Sequence, residues 1–218
     1  MMKIIRESYN EELDNSIWLD NETKQFMKDK LKAMHDKIGY TNALINTSSY
    51  DNAYKELIIK PGEFLQNYIR GKMFQNKILM LTLKKPYDKD TWDFPPVTVN
   101  AYYKANANEM VFPAGILQEP LFYSDLPTGY NFGALGFVIA HELIHGFDVI
   151  GSQFDKFGNI KKWKNKNFID EFNYKTQCLK DQYSNYTFNG EMINGKLTIA
   201  ENIADNGGIR TAYKVETL

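Results

Sequence analysis

Apolar residues recur at helical spacing along most of the chain and are separated by short polar segments. After Asn21 the apolar positions fall mostly three or four residues apart and stop at Gly39, which predicts one helix. Its apolar positions are Phe26, Met27, Leu31, Met34 and Ile38. The same spacing predicts helices near residues 64–83, 135–149, 167–183 and 199–214.

Strand composition is confined to the middle of the chain. Residues 97–103 are rich in β-branched and aromatic side chains, and residues 110–112 form a second short run after a polar turn. Pro86 and residues 88–96 predict a loop before the first strand. The predicted fold class is therefore mainly α with a small β-sheet, an α+β protein.

The overall composition is that of a chain that forms a hydrophobic core. Hydrophobic residues make up 43% and charged residues 24% of the 218 residues, and the net charge is −1. A chain without a basic surplus lacks the charge that nucleic-acid binding needs, so we expect no nucleic-acid partner. The apolar stretch at residues 78–83 is too short to span a membrane, and no apolar signal segment follows the N-terminal charges.

Cysteine and glycosylation patterns point to different compartments. Cys178 is the only cysteine and cannot form an internal disulfide, which favours a reducing compartment. Three N-glycosylation sequons, at Asn21, Asn46 and Asn185, favour a secretory route. These residues alone leave the compartment open.

The predicted helix 135–149 contains a His-Glu-x-x-His motif formed by His141, Glu142 and His145. Histidines four residues apart lie on one helical face, where both imidazoles can bind one metal ion. Glu142 can then act as a general base on a metal-bound water. The alternative is a chance spacing of two helical histidines. The chain has only three histidines, and two of them fit this motif after an apolar run, which favours zinc.

A catalytic zinc site needs a third protein ligand. A third histidine at the spacing of the longer motif is excluded, because Asp148 and Gly151 occupy those positions. His35 is expected to lie on the solvated face of an upstream helix. Glu201 and Asp205 remain as candidates on a later helix that is otherwise apolar or small, although a solvated acidic face is the alternative. Asp148 shares the histidine face and suits the orientation of a histidine ligand.

Four sequence blocks carry a resemblance to a known family. They are VNAYY at residues 99–103, VFPAGILQ at 111–118, HELIHGFD at 141–148 and ENIADNGG at 201–208. Together they closely resemble the neprilysin and endothelin-converting-enzyme family of zinc metallopeptidases. The resemblance implies a thermolysin-like zinc peptidase core of the gluzincin type with part of a helical cap domain. It further implies a zinc-dependent metalloendopeptidase that holds one zinc ion and hydrolyses oligopeptides.

The resemblance implies a division of the chain and a role for each matching residue in the metal site. Residues 1–60 would end a helical N-terminal region, 61–96 would be a connecting helix and loop, and 97–218 would be the catalytic domain. The implied zinc ligands are His141, His145 and Glu201. Glu142 would activate the zinc-bound water, while Asp148 and Asp205 would orient the histidines.

The resemblance also implies a substrate site. Asn100 and Ala101 would hold the substrate backbone at the edge of the sheet, as extended peptides bind by adding a strand. Ile116, Phe137 and Val138 would line the apolar pocket for the residue after the cleaved bond.

Departures from the family pattern keep a second hypothesis open. The family has a histidine and an arginine several tens of residues after the Glu201 block, whereas no histidine follows His145 here. We therefore expect the chain to be a central part of a longer protein, in which Cys178 would form a disulfide with a cysteine beyond residue 218 and Asn185 would be glycosylated.

The first hypothesis is a peptidase outside the cell or at its surface, in a family that is often membrane-anchored. The second is a catalytically impaired or non-catalytic relative that acts as a decoy or binding module. A structural zinc module fits poorly, because such sites are usually cysteine-rich.

Overall fold

The computed structural model describes residues 1–41, 44–85, 91–161 and 165–216, which are mainly helical with a small β-sheet. The helices are α1 Met2–Asn15, α2 Asn21–Ala33, α3 Thr47–Tyr54, α4 Phe64–Thr82, α5 Thr128–Asn131, α6 Phe137–His145, α7 Lys166–Ser184 and α8 Ile199–Glu216. The strands are β1 His35–Gly39, β2 Tyr102–Lys104, β3 Glu109–Pro113, β4 Thr187–Phe188 and β5 Glu191–Met192. The predicted fold class is confirmed.

The helix predicted from Asn21 to Gly39 is shorter than its apolar pattern indicates. α2 ends at Ala33, and the following residues form strand β1 instead, so this part of the prediction is wrong. In β1 the side chain of Lys37 is buried and Ile38 is 50% exposed. The ammonium of Lys37 lies 2.9 Å from the carboxylate of Glu109 on β3. The burial of Lys37 in β1 therefore depends on a long-range ion pair, which the local spacing of apolar residues does not predict. His35 is exposed, as expected, but it lies on β1 and not on a helix.

The main sheet has the strand order β1-β3-β2. Strand β3 is buried along its whole length and pairs parallel with β1 and antiparallel with β2. The strand predicted over residues 110–112 is confirmed within β3. Of the strand predicted over residues 97–103, only Tyr102 and Tyr103 belong to β2. Val97 and Val99 are 82% and 67% exposed, so the segment before β2 lacks the cross-strand packing that stabilises a strand.

A π-helical turn at Phe132–Gly136 leads directly into α6. α6 ends at His145, earlier than predicted, because the next two N–H groups bond carbonyls three residues back. Gly146 donates to Leu143 at 3.1 Å and Phe147 donates to Ile144 at 2.7 Å. π-helical turns inside helices occur frequently at functional sites.

The core of the fold surrounds α6. α6 packs along α8, and α1 packs on both of them. The buried side chains on α6 that face this core are Ile139, Ala140, Leu143 and Ile144. Helices α7 and α8 form close to the predicted residues 167–183 and 199–214. The fold therefore places the middle of the His-Glu-x-x-His helix inside the core.

The chain divides into two compact units, Met1–Gly39 with Pro96–Leu218 and Tyr40–Pro95. In the smaller unit, the rings of Tyr54 and Phe74 lie 5.7 Å apart between α3 and α4, and no side chain of α4 is buried. Of the predicted loop, residues 86–90 lie outside the described residues, and residues 91–96 contain neither helix nor strand. No helix in the described part of the chain is both long and apolar enough to cross a membrane. The division into residues 1–60, 61–96 and 97–218 stays a prediction.

Candidate metal centre

Helix α6 brings two imidazoles together, as the sequence spacing predicts. The Nε2 atoms of His141 and His145 lie 2.9 Å apart, and the two rings are nearly perpendicular at 87°. Their side chains are 16% and 15% exposed, so the rings lie mostly inside the protein. Because successive turns of a helix stack side chains four residues apart, α6 alone is sufficient to pair the two nitrogen atoms.

Two aspartates bond the opposite nitrogen of each imidazole. His141 Nδ1 lies 2.9 Å from Asp205 Oδ1, and His145 Nδ1 lies 2.7 Å from Asp148 Oδ2. An ionised carboxylate only accepts hydrogen bonds, so each Nδ1 carries the proton and each Nε2 keeps a lone pair. Carboxylates in this position set the tautomer that a histidine needs to bind a metal.

Glu201 on α8 supplies the third donor atom. Its Oε2 lies 3.4 Å from both Nε2 atoms, so the donor atoms of His141, His145 and Glu201 all lie within 4.8 Å of one another. Three electron-pair donors that face one point repel each other unless a cation lies between them. Two imidazoles and one carboxylate form a donor set typical of catalytic zinc sites. The three residues therefore fit one zinc ion.

Two glycines let α8 approach α6 closely enough to place Glu201. A Cβ added at Gly208 would lie 2.9 Å from the backbone nitrogen of His141, and one at Gly207 would lie 3.0 Å from the side chain of Ile144. Any larger residue at Gly208 would have to displace the backbone of one helix. The absence of a side chain at both positions therefore allows the close packing of α8 against α6.

Glu142 lies beside the first histidine and is buried, with 6% of its surface exposed. Burial raises the pKa of its carboxyl to about 7, and the nearby Glu201 also raises it. The charge of His145 and a backbone hydrogen bond from Tyr103 lower this pKa in part. A carboxyl with a pKa near neutrality can both take up and release a proton, which suits a general base.

Electrostatics also act on His145. Burial lowers the pKa of its imidazole, but the hydrogen bond of Asp148 and the charges of Glu142, Asp148 and Glu201 raise it, and the net change is upward. A bound divalent cation would compete with the proton for the same imidazole, so metal binding is expected to release protons.

A cavity of about 420 Å³ opens beside these residues. The predicted zinc ligands and Glu142 line this cavity, together with Asn100 and Ala101 from the segment before β2. The structure thus brings the predicted edge-strand pair next to the predicted metal site. The role of each residue in binding metal or substrate stays a prediction.

The residues predicted to form the apolar pocket lie outside the lining of this cavity. Ile116 is buried in the turn after β3, while Phe137 and Val138 are partly buried and pack against the core. The ring of Phe137 lies 6.1 Å from that of His141, one of the predicted zinc ligands. Their role as a specificity pocket stays a prediction.

The cavity is also lined by residues that the sequence did not predict to be part of the site. They are Tyr102, Tyr103, Ala105, Ile150, Gly151 and Ala200. The two tyrosines lie within the VNAYY block, so that block was a usable signal. The apolar side chains of Ile150 and Ala105 do not indicate a functional site in the sequence, because turns of the backbone place them at the cavity.

Comparisons with known proteins agree with this geometry. Residues 100–217 match the family described as Peptidase family M13. An endothelin-converting enzyme homolog of Locusta migratoria is 43% identical over 213 residues, which cover 98% of this chain and 29% of that protein. Neprilysin-3 of Drosophila melanogaster is 42% identical over 213 residues, which cover 98% of this chain and 27% of that protein.

A solved structure agrees over almost the whole chain. The crystal structure of a zinc metalloprotease of Mycobacterium tuberculosis in complex with an inhibitor matches with a TM-score of 0.91 at 32% identity. The match covers 99% of this chain and 33% of that one. The chain thus spans about a third or less of the relatives it matches, and the resemblance drawn from its four sequence blocks is confirmed. The chain belongs to peptidase family M13.

Proposed function

We propose that the chain provides the metal site and general base of a zinc-dependent metalloendopeptidase that hydrolyses oligopeptides. The observation that carries this proposal is the convergence of His141, His145 and Glu201 on one point, with the buried Glu142 on the same cavity wall. Family membership supports it, because the matching family is one of peptidases.

Each residue has a defined task in this proposal. His141, His145 and Glu201 would hold zinc, which when bound acts as a Lewis acid on water and on the substrate carbonyl. Glu142 takes a proton from the attacking water and passes it to the leaving amine. Asp148 and Asp205 keep the imidazoles in the tautomer that leaves Nε2 free.

Peptide binding is proposed along the segment that enters β2. β2 is an edge strand of the sheet, and Asn100 and Ala101 precede it at the cavity. An extended peptide can bind at such an edge by adding a strand to the sheet. The side chain of the residue after the cleaved bond would then enter the predicted apolar pocket of Ile116, Phe137 and Val138.

Replacement of Glu142 by glutamine tests the catalytic proposal. We expect kcat/KM on a quenched peptide with a large apolar residue after the cleaved bond to fall by about 10² to 10⁴. Zinc content, measured by atomic absorption, should stay at one ion per chain. Glu191→Gln is the matched control, because Glu191 is exposed on β5, and it should leave both values unchanged. Full activity of Glu142→Gln, or a protein that binds no zinc, would contradict the proposal.

The same assay separates the enzyme from a non-catalytic relative. A decoy or binding module with this site would bind zinc and peptide but hydrolyse nothing, in the unaltered protein as in Glu142→Gln. An active peptidase shows hydrolysis that depends on both zinc and Glu142.

We also propose an extracellular or cell-surface location with N-linked glycans. The asparagines of all three sequons, Asn21, Asn46 and Asn185, are exposed and can accept a glycan. A fall in mass after enzymatic deglycosylation of protein from its native source is the expected result. An unchanged mass would contradict glycosylation.

A further inference from the structure

A buried lysine of α2 reaches the segment that follows the metal-binding helix. Lys30 is 1% exposed, and its Nζ donates to the carbonyl oxygens of Gly151 at 2.7 Å and Phe154 at 2.9 Å. A buried ammonium is rare and is tolerated only where it is well bonded. Helical spacing places Lys30 on the buried face of α2, three residues after Met27, but does not identify the carbonyl groups that it bonds.

The segment held by Lys30 also holds Asp148. The N–H groups of Ile150 and Gly151 both donate to Asp148 Oδ1 at 2.7 Å. The other carboxylate oxygen bonds His145 Nδ1 at 2.7 Å. Gly151 is therefore fixed through its carbonyl by Lys30 and through its N–H by Asp148. A continuous series of hydrogen bonds runs from Lys30 to the imidazole of His145.

Gly151 has little room to move relative to α6. A Cβ added at Gly151 would lie 1.8 Å from the carbonyl oxygen of His145. Any shift of this residue therefore presses on the end of the metal-binding helix or moves the N–H groups that hold Asp148. Tight packing of this kind transmits small displacements.

Lys30 also lies close to the edge strand that borders the cavity. Its Nζ lies 5.9 Å from the centre of the Tyr103 ring and 5.7 Å from that of Phe147. The fully buried Asn108 donates to the backbone carbonyl of Lys30 at 3.1 Å and accepts from the Tyr103 hydroxyl at 2.8 Å. One buried cation thus bridges the segment behind His145 and the strand that borders the cavity.

We propose that Lys30 is a positioning residue for the metal centre, fixing the Gly151–Phe154 segment so that Asp148 holds the imidazole of His145 in its binding orientation. This inference rests on the proposed zinc site and adds to it a residue that binds neither metal nor substrate. Lys30 acts from a helix in the first part of the chain, far in sequence from the metal-binding motif.

The test compares two buried lysines. Lys30→Met keeps an unbranched apolar side chain, one atom shorter than lysine, but removes the donors to Gly151 and Phe154. Lys37→Met is the matched control, because Lys37 is 6% exposed and bonds Glu109 on β3 at 2.9 Å, outside the series that leads to His145. Zinc affinity is measured by competition with a chromophoric chelator, and the visible spectrum of the cobalt(II)-loaded protein reports ligand geometry.

We expect Lys30→Met to bind zinc about tenfold more weakly and to shift the cobalt(II) bands, as outer partners of metal ligands do. Lys37→Met should leave the spectrum unchanged and alter the affinity by less than about twofold. Lys30→Gln, which keeps an NH₂ group with two N–H donors but carries no charge, should lie between Lys30→Met and the unaltered protein. It also replaces Lys30→Met if that variant does not fold.

Several outcomes would overturn the inference. These are an unchanged zinc affinity and cobalt(II) spectrum in Lys30→Met, an equal loss of affinity in Lys37→Met, or failure of both Lys30 variants to fold. The last outcome would assign Lys30 to the stability of the fold as a whole.

Both measurements, of zinc affinity and of the cobalt(II) spectrum, work without peptide. A protein that binds zinc but hydrolyses nothing would therefore contradict the proposed function alone, and the zinc measurements would still decide the role of Lys30. An unaltered protein that binds no zinc would overturn both proposals.

Discussion

The two helices that build the metal centre hold their side chains in different ways. α6 presents His141 and His145 from inside the core, with side chains 16% and 15% exposed, together with the buried Glu142. α8 presents Glu201 and Asp205 with side chains 64% and 49% exposed. The same site is therefore buried on one side and open to solvent on the other.

This difference in exposure indicates what fixes the side chains on each side of the metal centre. On the α6 side, the buried carboxylate of Asp148 accepts from two backbone N–H groups and bonds His145, so the imidazole has one allowed orientation. On the α8 side, the exposed carboxylates gain little from burial, and the contact of Gly208 with the backbone of His141 sets their distance. Burial and hydrogen bonds fix one half, and the close approach of two backbones fixes the other.

The largest expected effect concerns the energetic cost of burying Glu142 on the α6 side. Burial raises its pKa from an ordinary 4.5 to about 7 in the folded protein. Between these values the folded state binds a proton that the unfolded state has lost, so stability falls as the pH rises from about 4.5 to about 7. We compare the free energy of unfolding of metal-free Glu142→Gln with that of the metal-free unaltered protein. From pH 4 to pH 8 we expect this difference to change by about 3 kcal/mol in favour of the variant.

Urea unfolding of both proteins in the presence of a chelator measures this difference. Groups far from Glu142 titrate alike in the two proteins, so their contributions cancel, whereas His145 loses the upward effect of Glu142 on its pKa in the variant. A difference that is the same at both pH values would show that Glu142 is not held in a desolvating environment. The description of the α6 side as the buried half would then be wrong.

Asp148→Asn should produce the next largest effect, because it changes the tautomer of His145 without changing the size of the side chain. An amide nitrogen turned towards Nδ1 donates a hydrogen bond, which moves the imidazole proton to Nε2 and blocks metal binding. We expect zinc affinity to fall by about 100-fold, the upper end for partners of metal ligands. Chelator competition measures it.

Asp155→Asn is the control for Asp148→Asn. Asp155 is also buried and accepts from the N–H groups of Phe157 and Asn159, but it bonds no histidine. Its replacement should leave zinc affinity within about twofold of the unaltered protein. An equal loss in both variants would indicate general damage to the segment after α6.

On the α8 side, Gly208→Ala should separate the two helices. Its Cβ would meet the backbone of His141, which cannot rotate away, and we expect a loss of about 2 kcal/mol in the free energy of unfolding. Gly207→Ala is the matched control, because the atoms nearest to its Cβ belong to the side chain of Ile144 and not to a backbone. Both variants gain the same helix propensity, so their difference compares the backbone contact at Gly208 with the side-chain contact at Gly207. Equal stabilities would show that the approach of α8 does not depend on Gly208.

Local periodicity explains why much of the site could be predicted. His141 and His145 face the same point because they are one helical turn apart, and Asp148 follows on the same face. Glu201 and Asp205 repeat this spacing on α8. Such placements depend on residues close in the sequence, and the structure brings all five of them together.

Features that depend on distant partners could not be predicted. Lys37 is buried because it meets Glu109, 72 residues away, so β1 does not follow the apolar pattern. Lys30 bonds the carbonyls of Gly151 and Phe154, 121 and 124 residues away. Its place three residues after Met27 puts it on the buried face of α2, but nothing local in the sequence indicates these two partners. The apolar spacing of α4 correctly predicts a helix, yet none of its side chains is buried. A local pattern therefore predicts an element but not what the element packs against.

Asp205→Asn is expected to have the smallest effect and is the sharpest test of the comparison with Asp148. Asp205 makes the same kind of bond to His141 Nδ1, at 2.9 Å, but its side chain is 49% exposed. Water can reach the imidazole and accept its proton when the carboxylate is lost, so the binding tautomer survives in part. We expect zinc affinity to fall by about tenfold or less, against about 100-fold for Asp148→Asn. If the two variants lose equal affinity by chelator competition, burial does not decide how firmly each imidazole is held, and the two halves of the site are equivalent.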